Sequence, residues 1–117
     1  MEKTIKVGID TIELDRIDED KNFLKRFLTE NEIEYINRFV NKKERIAGFF
    51  CAKEAIFKAL DMDSLVHHEI EICHQKNGRP FAILRGKTKE WFDKKYKEID
   101  ISISHSKTIA TAICIVN

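Results

Sequence analysis

The chain has 117 residues, 43% of them hydrophobic and 35% charged, with a formal net charge of +1. This length and balance predict one globular domain over residues 1–117, and the near-neutral charge argues against nucleic acid as the main partner. No apolar run is long enough to cross a bilayer and the N-terminus lacks a signal-peptide core, so we expect a cytoplasmic protein with no membrane partner.

The first predicted element is a strand close to the N-terminus. Ile5, Val7 and Ile9 occupy alternate positions, which is the period of a half-buried strand. These apolar side chains share one face, which we expect to be the buried one, and Asp10 belongs to the opposite face.

Three helices are predicted next. Apolar residues recur at helical spacing over 23–28, and Thr29 with Glu32 has the spacing of a capping box at the start of a second helix. The clearest helix covers 44–60, where apolar residues form one continuous stripe. Lys53 lies inside this stripe, so it requires either a partner or a path along which its charged end reaches water.

The second half of the chain favours antiparallel strands and one more helix. The predicted segments are a hairpin of strands 69–72 and 81–84 around Asn77-Gly78, a helix over 88–97, and strands 99–104 and 109–116. Hairpins interrupted by helices indicate an α+β fold, a mainly antiparallel sheet packed with helices. The apolar run of the last strand indicates burial on both faces, by helices or by another subunit.

Three short segments carry side chains suited to chemistry: Gly8-Ile9-Asp10, Lys53 to Lys58, and Ser102 to His105. Each alone also has a structural interpretation, as a solvated carboxylate, a helix-surface ion pair or a turn histidine. Glu54 and Lys58, however, lie at the border of the apolar stripe, where charges are half-buried. If Asp10 packs beside Glu54, the two carboxylates repel unless a proton or a cation lies between them. Mg²⁺ suits such a place, because it binds one or two carboxylates and leaves room for substrate phosphates.

Taken together, these segments resemble the phosphopantetheinyl transferases of the short, holo-acyl-carrier-protein synthase type. The matching segments are Gly8-Ile9-Asp10 with Arg16-Ile17, Ala47-Gly48 with Ala52-Lys53-Glu54-Ala55 and Lys58-Ala59, Asn77-Gly78-Arg79-Pro80, and Ile103-Ser104-His105-Ser106-Lys107. They occur in the family's order and at about its spacing. The resemblance implies transfer of 4′-phosphopantetheine from coenzyme A to a serine of apo-acyl carrier protein, with release of adenosine 3′,5′-bisphosphate, in support of fatty acid biosynthesis.

The resemblance also implies a role for individual residues. Asp10 and Glu54 would bind Mg²⁺, Lys58 would stabilise charge on the phosphate, and His105 would act in the coenzyme pocket. The implied coenzyme A ligands are Arg45, Lys58, Asn77, Gly78, Arg79, Pro80, Ser104 and His105. The carrier serine must lose a proton, and Glu54, a metal-bound water or His105 could each accept it.

Two surfaces are implied as well. Arg16, Lys25 and Arg26 resemble the basic surface that docks the acidic helix of the carrier protein, a role that needs only a local charge patch. Members of this family assemble as homotrimers with active sites between subunits.

The chain departs from the family at two places. Phe49 stands where relatives usually have an arginine, so a basic residue that could contact coenzyme A is missing, and Lys42, Lys43 or Arg45 could substitute for it. The glycine-bearing turn that usually follows the long helix is replaced by Asp61-Met62-Asp63-Ser64, which leaves contacts from that loop in doubt.

Some features fit no role in the family. His67, His68 and His74 are interpreted as surface residues, because an adjacent histidine pair cannot chelate a metal as i, i+4 histidines do. Two rival functions remain: a binding module that docks the carrier without turnover, and a domain whose carboxylates hold a structural metal. The presence of Asp10, Glu54 and Lys58 together favours the enzyme.

Overall fold

A computed structural model describes residues 4–117 of the chain. The elements are, in chain order, β1 (Lys6–Glu13), α1 (Lys21–Lys25), α2 (Glu30–Ile36), α3 (Lys42–Leu60), β2 (Ile70–His74), β3 (Pro80–Leu84), α4 (Gly86–Lys95), β4 (Ile99–His105) and β5 (Ile109–Val116), with 3₁₀ turns at Leu14–Arg16 and His67–Glu69. No helix within 4–117 is both long enough and apolar enough to cross a membrane.

The strands form two antiparallel sheets, where a single sheet was predicted. In the three-stranded sheet β5 lies between β1 and β4, and β2 pairs with β3 in a separate hairpin. Gly78 has a φ of +89° in the hairpin turn, a conformation that glycine adopts without the steric cost of a side chain. The predicted α+β class with antiparallel pairing is confirmed.

Helix α3 packs across the three-stranded sheet, and Gly8 allows the close contact with β1. A Cβ at Gly8 would overlap the carbonyl oxygen of Ala55 and lie 2.7 Å from the backbone nitrogen of Ala59. Ala55 and Ala59 are both fully buried against the strand. Small residues on both elements thus bring the two backbones together.

This contact reverses the predicted faces of β1. Val7 and Ile9 are 60% and 58% exposed, whereas Gly8 is buried and Asp10 is half-buried on the side of α3. Alternation of apolar residues separates the two faces of a strand but does not say which one the helix covers. The prediction of a buried isoleucine face was therefore wrong for a single chain.

Strand β5 is buried on one face only within a single chain, so of the two alternatives predicted for its second face, the helices of the same chain do not provide the burial. Ala110, Ala112, Cys114 and Val116 are at most 1% exposed beneath α3. The other face carries Ile113 and Ile115, which are 36% and 46% exposed and continue the apolar face of β1. The helices of one chain thus leave one face of this sheet uncovered. We call the exposed set Val7, Ile9, Ile109, Ile113 and Ile115 the outer sheet face.

Lys53 finds its partner in a buried ion pair. Its Nζ donates to Glu32 Oε1 at 2.7 Å, to the Phe27 carbonyl at 2.6 Å and to the His67 carbonyl at 3.0 Å, and neither charged side chain is exposed. Glu32 also accepts from the Ile72 backbone N–H at 2.8 Å and completes the predicted capping box of α2. The pair therefore ties α3 to α2 and to β2.

Candidate active site

The fold brings two carboxylates and a lysine together where β1 crosses α3. Burial, and then the negative charge of Asp10, raise the pKa of Glu54, and Lys58 opposes this effect. Lys58 Nζ donates to the Ile9 carbonyl at 3.0 Å and lies 3.4 Å from Asp10 Oδ1. Because the charge of Asp10 disfavours the ionised form of Glu54, a cation bound between the two side chains would stabilise the site.

The donor set of this site suits Mg²⁺. Carboxylate oxygens are hard ligands, and Mg²⁺ is commonly held by one or two of them while waters and phosphate oxygens fill the remaining positions. Within residues 4–117, no group of three or more His, Cys, Asp or Glu side chains is arranged to hold a metal. A cation held by Asp10 and Glu54 would leave its other positions to waters and substrate oxygens.

A second feature is a cavity of about 100 Å³, open at its mouth, between α3 and the β2–β3 turn. Its lining residues are Tyr35, Glu44, Arg45, Gly48, Phe49, His74, Gly78, Pro80, Ile103 and His105. Across the described part of the chain only two buried side-chain nitrogen or oxygen atoms lack a hydrogen-bond partner, Arg45 Nε and His74 Nδ1. Both belong to residues of this cavity, where a polar ligand or a water would satisfy them.

The structure separates the predicted coenzyme ligands into two sets. Arg45, Gly78, Pro80 and His105 line the cavity, whereas Lys58, Asn77, Arg79 and Ser104 do not. The Arg79 guanidinium instead contacts the Asp100 carboxylate at 2.9 and 3.1 Å on the surface. The Asn77 side chain accepts from the Arg79 N–H at 3.0 Å and shapes the hairpin turn.

His105 lies apart from the carboxylate pair. Its Nδ1 is 3.4 Å from Glu44 Oε2, at the start of α3. Glu54 is ten residues further along the helix, which corresponds to about 15 Å of helix rise. Within one chain, then, the predicted catalytic residues Glu54 and Lys58 stand at one place on α3 and His105 at another.

The predicted docking residues are exposed on the N-terminal part of the molecule. Arg16, Lys25 and Arg26 all face solvent. His68 Nε2 lies 2.8 Å from the Lys25 carbonyl and 3.2 Å from the Leu28 carbonyl, at the end of α1. This histidine ties the backbone at and just after the end of α1 to the 3₁₀ turn at His67–Glu69.

Two of the histidines interpreted as surface residues are half-buried. His74 stacks on Tyr35 inside the cavity, and His67 packs edge-on against Phe27 with ring centroids 4.8 Å apart. The prediction of a surface position is confirmed for His68 alone. The signal that points to His74 is its place directly before the turn that carries the Asn-Gly-Arg-Pro segment.

Both departures from the family pattern have structural counterparts. Phe49 lines the cavity one helical turn after Arg45, so the two side chains share a face of α3. Asp61 ends α3 with a φ of +54°, the left-handed conformation that glycine usually supplies at this position. Of the three residues that could replace the arginine missing at position 49, Arg45 is the one that lines the cavity.

Comparison with known proteins identifies the family. The profile of the 4′-phosphopantetheinyl transferase superfamily matches residues 6–114. The chain belongs to this superfamily. A holo-acyl-carrier-protein synthase of Thermoanaerobacter sp. (strain X514) is 45% identical over 116 residues, which cover 93% of this chain and 84% of that protein. One from Clostridium tetani is 40% identical, covering 94% and 93% of the two chains.

Solved structures agree with this assignment. The Helicobacter pylori holo-acyl-carrier-protein synthase in complex with coenzyme A has a TM-score of 0.82 at 31% identity, covering 95% of this chain and 99% of that one. The Bacillus anthracis synthase in complex with coenzyme A has a TM-score of 0.78 at 32% identity, covering 95% and 94%. The predicted family, fold class and transfer chemistry are thereby confirmed.

Proposed function

We propose that the chain transfers 4′-phosphopantetheine from coenzyme A to a serine of apo-acyl carrier protein in a Mg²⁺-dependent reaction that releases adenosine 3′,5′-bisphosphate and supports fatty acid biosynthesis. The observation that carries this proposal is the placement of Lys58 against Asp10, beside a Glu54 carboxylate whose pKa is raised by burial and by Asp10. Phosphoryl transfer needs charge stabilisation and positioning more than covalent help from the protein. Cytoplasmic location remains a prediction from sequence.

Each residue of the carboxylate site has a role in this reaction. When bound by Asp10 and Glu54, Mg²⁺ supplies neutralisation of the phosphate charge. The serine oxygen forms a bond to the transferred phosphorus, while the phosphorus–oxygen bond to adenosine 3′,5′-bisphosphate breaks. Lys58 stabilises the charge on the leaving phosphate, and Glu54 accepts the serine proton directly or through a water.

The cavity is the proposed site for the nucleotide end of coenzyme A. Arg45 and His105 bring basic groups to it, and the two unpartnered nitrogens in its wall support a polar ligand there. Asn77, Arg79 and Ser104 belong to the adjoining turn and strand end, and they remain proposed ligands on the strength of the resemblance. Arg79 uses only Nη2 for Asp100, which leaves the other N–H donors of its guanidinium for a phosphate.

The carrier protein is proposed to dock on Arg16, Lys25 and Arg26. These exposed cations accelerate encounter with an acidic partner even though the whole chain is nearly neutral. Reversing the charge with Arg16→Glu is expected to raise the KM for the carrier and reduce its salt dependence. The KM for coenzyme A should stay at the wild-type value, and a rise in that value would contradict the docking role.

The outer sheet face supports a homotrimer with active sites between subunits. Its five apolar side chains are 36–60% exposed, and four of them form two neighbouring cross-strand pairs, Val7 with Ile115 and Ile9 with Ile113. Contiguous apolar surface of this kind commonly marks a protein interface. Association would also allow Glu54 and Lys58 of one subunit to work with His105 of another.

The test is the intact mass of apo-acyl carrier protein after incubation with the chain, coenzyme A and Mg²⁺. We expect the mass to rise by one phosphopantetheine and the gain to disappear with EDTA. Asp10→Asn and Glu54→Gln should each remove more than about 99% of the rate, as loss of a metal ligand does in phosphoryl transfer. Glu90→Gln, which changes an exposed carboxylate on α4, is the matched control and should leave the rate intact.

Other outcomes separate the rival functions. Coenzyme A binding without any mass gain would favour the binding module. Full activity of Asp10→Asn in the presence of EDTA would contradict the proposed metal site, because neither the cation nor one of its ligands would then be required.

A further inference from the structure

The cavity beside the β2–β3 turn has an aromatic wall with no role so far. The rings of His74 and Tyr35 stack with centroids 4.1 Å apart and planes 2° apart. The centroid of the Phe49 ring lies 5.9 Å from the centroid of each of these rings. Three neighbouring flat rings form a surface that suits a further flat ring, and the purine base is the part of coenzyme A with that shape.

Within this wall His74 carries an atom that lacks a partner. Its Nδ1 is buried and makes no hydrogen bond to any residue in the range 4–117. Burial, and then the positive charge of Arg45, lower the pKa of His74, which favours the neutral form of the ring. A neutral imidazole carries its proton on one nitrogen and accepts a hydrogen bond at the other. An acceptor buried without a donor is unfavourable, and a ligand that brings a donor removes that cost.

We propose that His74 determines nucleotide specificity by accepting a hydrogen bond at Nδ1 from the exocyclic amino group of the purine base. This inference rests on the proposed function, because it takes the coenzyme to be the nucleotide in the cavity. Tyr35 holds the plane of the imidazole, and Arg45 brings the second unpartnered nitrogen to the same ligand. Glu44, which pairs with His105, is the competing acceptor in the cavity.

The test is calorimetric binding of adenosine 3′,5′-bisphosphate and of inosine 3′,5′-bisphosphate to the full chain. Hypoxanthine has a carbonyl where adenine has its amino group, so it offers no donor at that position. We expect the wild type to bind the adenine nucleotide roughly tenfold more tightly. His74→Phe keeps a stacked ring and removes the nitrogen, and it should bind both nucleotides equally. Gln75→Ala, at an exposed position directly after β2, is the control and should keep the preference.

Two results would overturn the inference: equal wild-type affinity for the two nucleotides, or a preference that persists in His74→Phe, which would assign the amino group to Glu44 or another acceptor. If thermal unfolding shows that the His74→Phe variant does not fold, the Tyr35→Leu variant is tested in its place. That variant keeps Nδ1 but frees the ring from its stack, and its preference should fall; an unchanged preference there contradicts the inference.

The carrier mass assay keeps the two claims distinguishable. A chain that prefers the adenine nucleotide through His74 but transfers no phosphopantetheine would retain the inference and contradict the proposed function. A chain that transfers phosphopantetheine without any preference for adenine would retain the proposed function and contradict the inference.

Discussion

Gly8 controls how closely β1 approaches α3, and Asp10 lies two residues further along the same strand. With Gly8→Ala, the added methyl group would meet the Ala55 carbonyl, and backbone atoms cannot rotate out of the way. We expect the free energy of unfolding to fall by about 1–3 kcal/mol, the usual cost of an overpacked contact. Phosphopantetheine transfer should fall further than the loss of folded protein explains, because Asp10 moves away from Glu54. Urea denaturation and the carrier mass assay measure the two effects.

A second glycine provides the comparison. At Gly48 a Cβ would lie 3.2 Å from Cγ2 of Ile103, a side chain that can adjust by a few tenths of an ångström. Gly48→Ala should therefore destabilise the chain less than Gly8→Ala. Equal losses from the two substitutions would contradict the view that backbone contact makes Gly8 necessary.

Lys53 is next to Glu54 in sequence but faces the interior, where it pairs with Glu32. Burial lowers the pKa of Lys53 and raises that of Glu32, and their mutual attraction opposes both shifts. Lys53→Met leaves a buried carboxylate without its cation, and we expect a loss of about 3–5 kcal/mol in the free energy of unfolding. The double variant Lys53→Met/Glu32→Gln should lose less than the sum of the single variants, since it removes both charges. Additive losses in a urea double-mutant cycle would show that the pair is not coupled.

At the scale of elements, periodicity located each helix and strand within a few residues, and local chemistry explains the success. The capping box of Thr29 and Glu32 and the Asn77-Gly78 turn depend on residues close in sequence, so they can be recognised without the fold. The face that an element turns towards the core cannot be recognised in this way. The choice between the two faces of β1 depends on the contact of Gly8 with Ala55, 47 positions away in the sequence.

For the candidate site too, local segments could be predicted from the sequence, whereas contacts between elements could not. The short segments containing Asp10, Glu54 and Lys58 could be recognised one by one, and the structure brings them together. The pairing of Arg79 with Asp100 and the stacking of His74 on Tyr35 could not, because each joins residues from different elements. Such contacts leave no pattern in a single sequence.

Helix α4 begins with a cap that comes from another part of the chain. The Glu69 carboxylate accepts from the Thr88 hydroxyl at 2.8 Å and from the backbone N–H groups of Thr88 and Lys87 at 3.1 and 3.3 Å. The Thr88 hydrogen bonds hold the pKa of Glu69 below its usual value. Stability from this carboxylate is therefore present above its unfolded-state pKa and is lost as the pH falls through the folded-state pKa.

Glu69→Gln removes the titrating group and keeps the shape of the side chain. We expect it to lower the free energy of unfolding by about 1 kcal/mol at neutral pH, the usual contribution of a helix cap. The difference from wild type should shrink as the pH is lowered below the ordinary range of a glutamate. Urea denaturation between neutral and acidic pH measures it, and a difference that stays constant with pH would contradict the charged cap.

For the molecule as a whole, α3 carries both proposed parts of the active site, with the carboxylate pair towards one end and the cavity towards the other. The outer sheet face lies on the opposite side of the three-stranded sheet, where no element formed by residues 4–117 covers it. The separation of the two parts of the site and the uncovered sheet face are both accounted for if three copies meet through this face and complete the sites between them. The apolar character of β5 then follows from burial on both faces, one by α3 and the other by a neighbouring copy.

Ile113→Lys tests this assembly, because Ile113 is 36% exposed on the outer sheet face and does not belong to the buried core. A lysine at the centre of an apolar interface loses the burial of the isoleucine, about 2 kcal/mol per copy, and adds a charge that must be desolvated. Light scattering after size exclusion should give a trimer for the wild type and a folded monomer without transfer activity for Ile113→Lys. Val40→Asn is the control, since Val40 is 97% exposed elsewhere on the molecule, and it should remain trimeric and active. A wild type that is monomeric and fully active would rule out interfacial active sites, and the uncovered apolar face would then require a different partner.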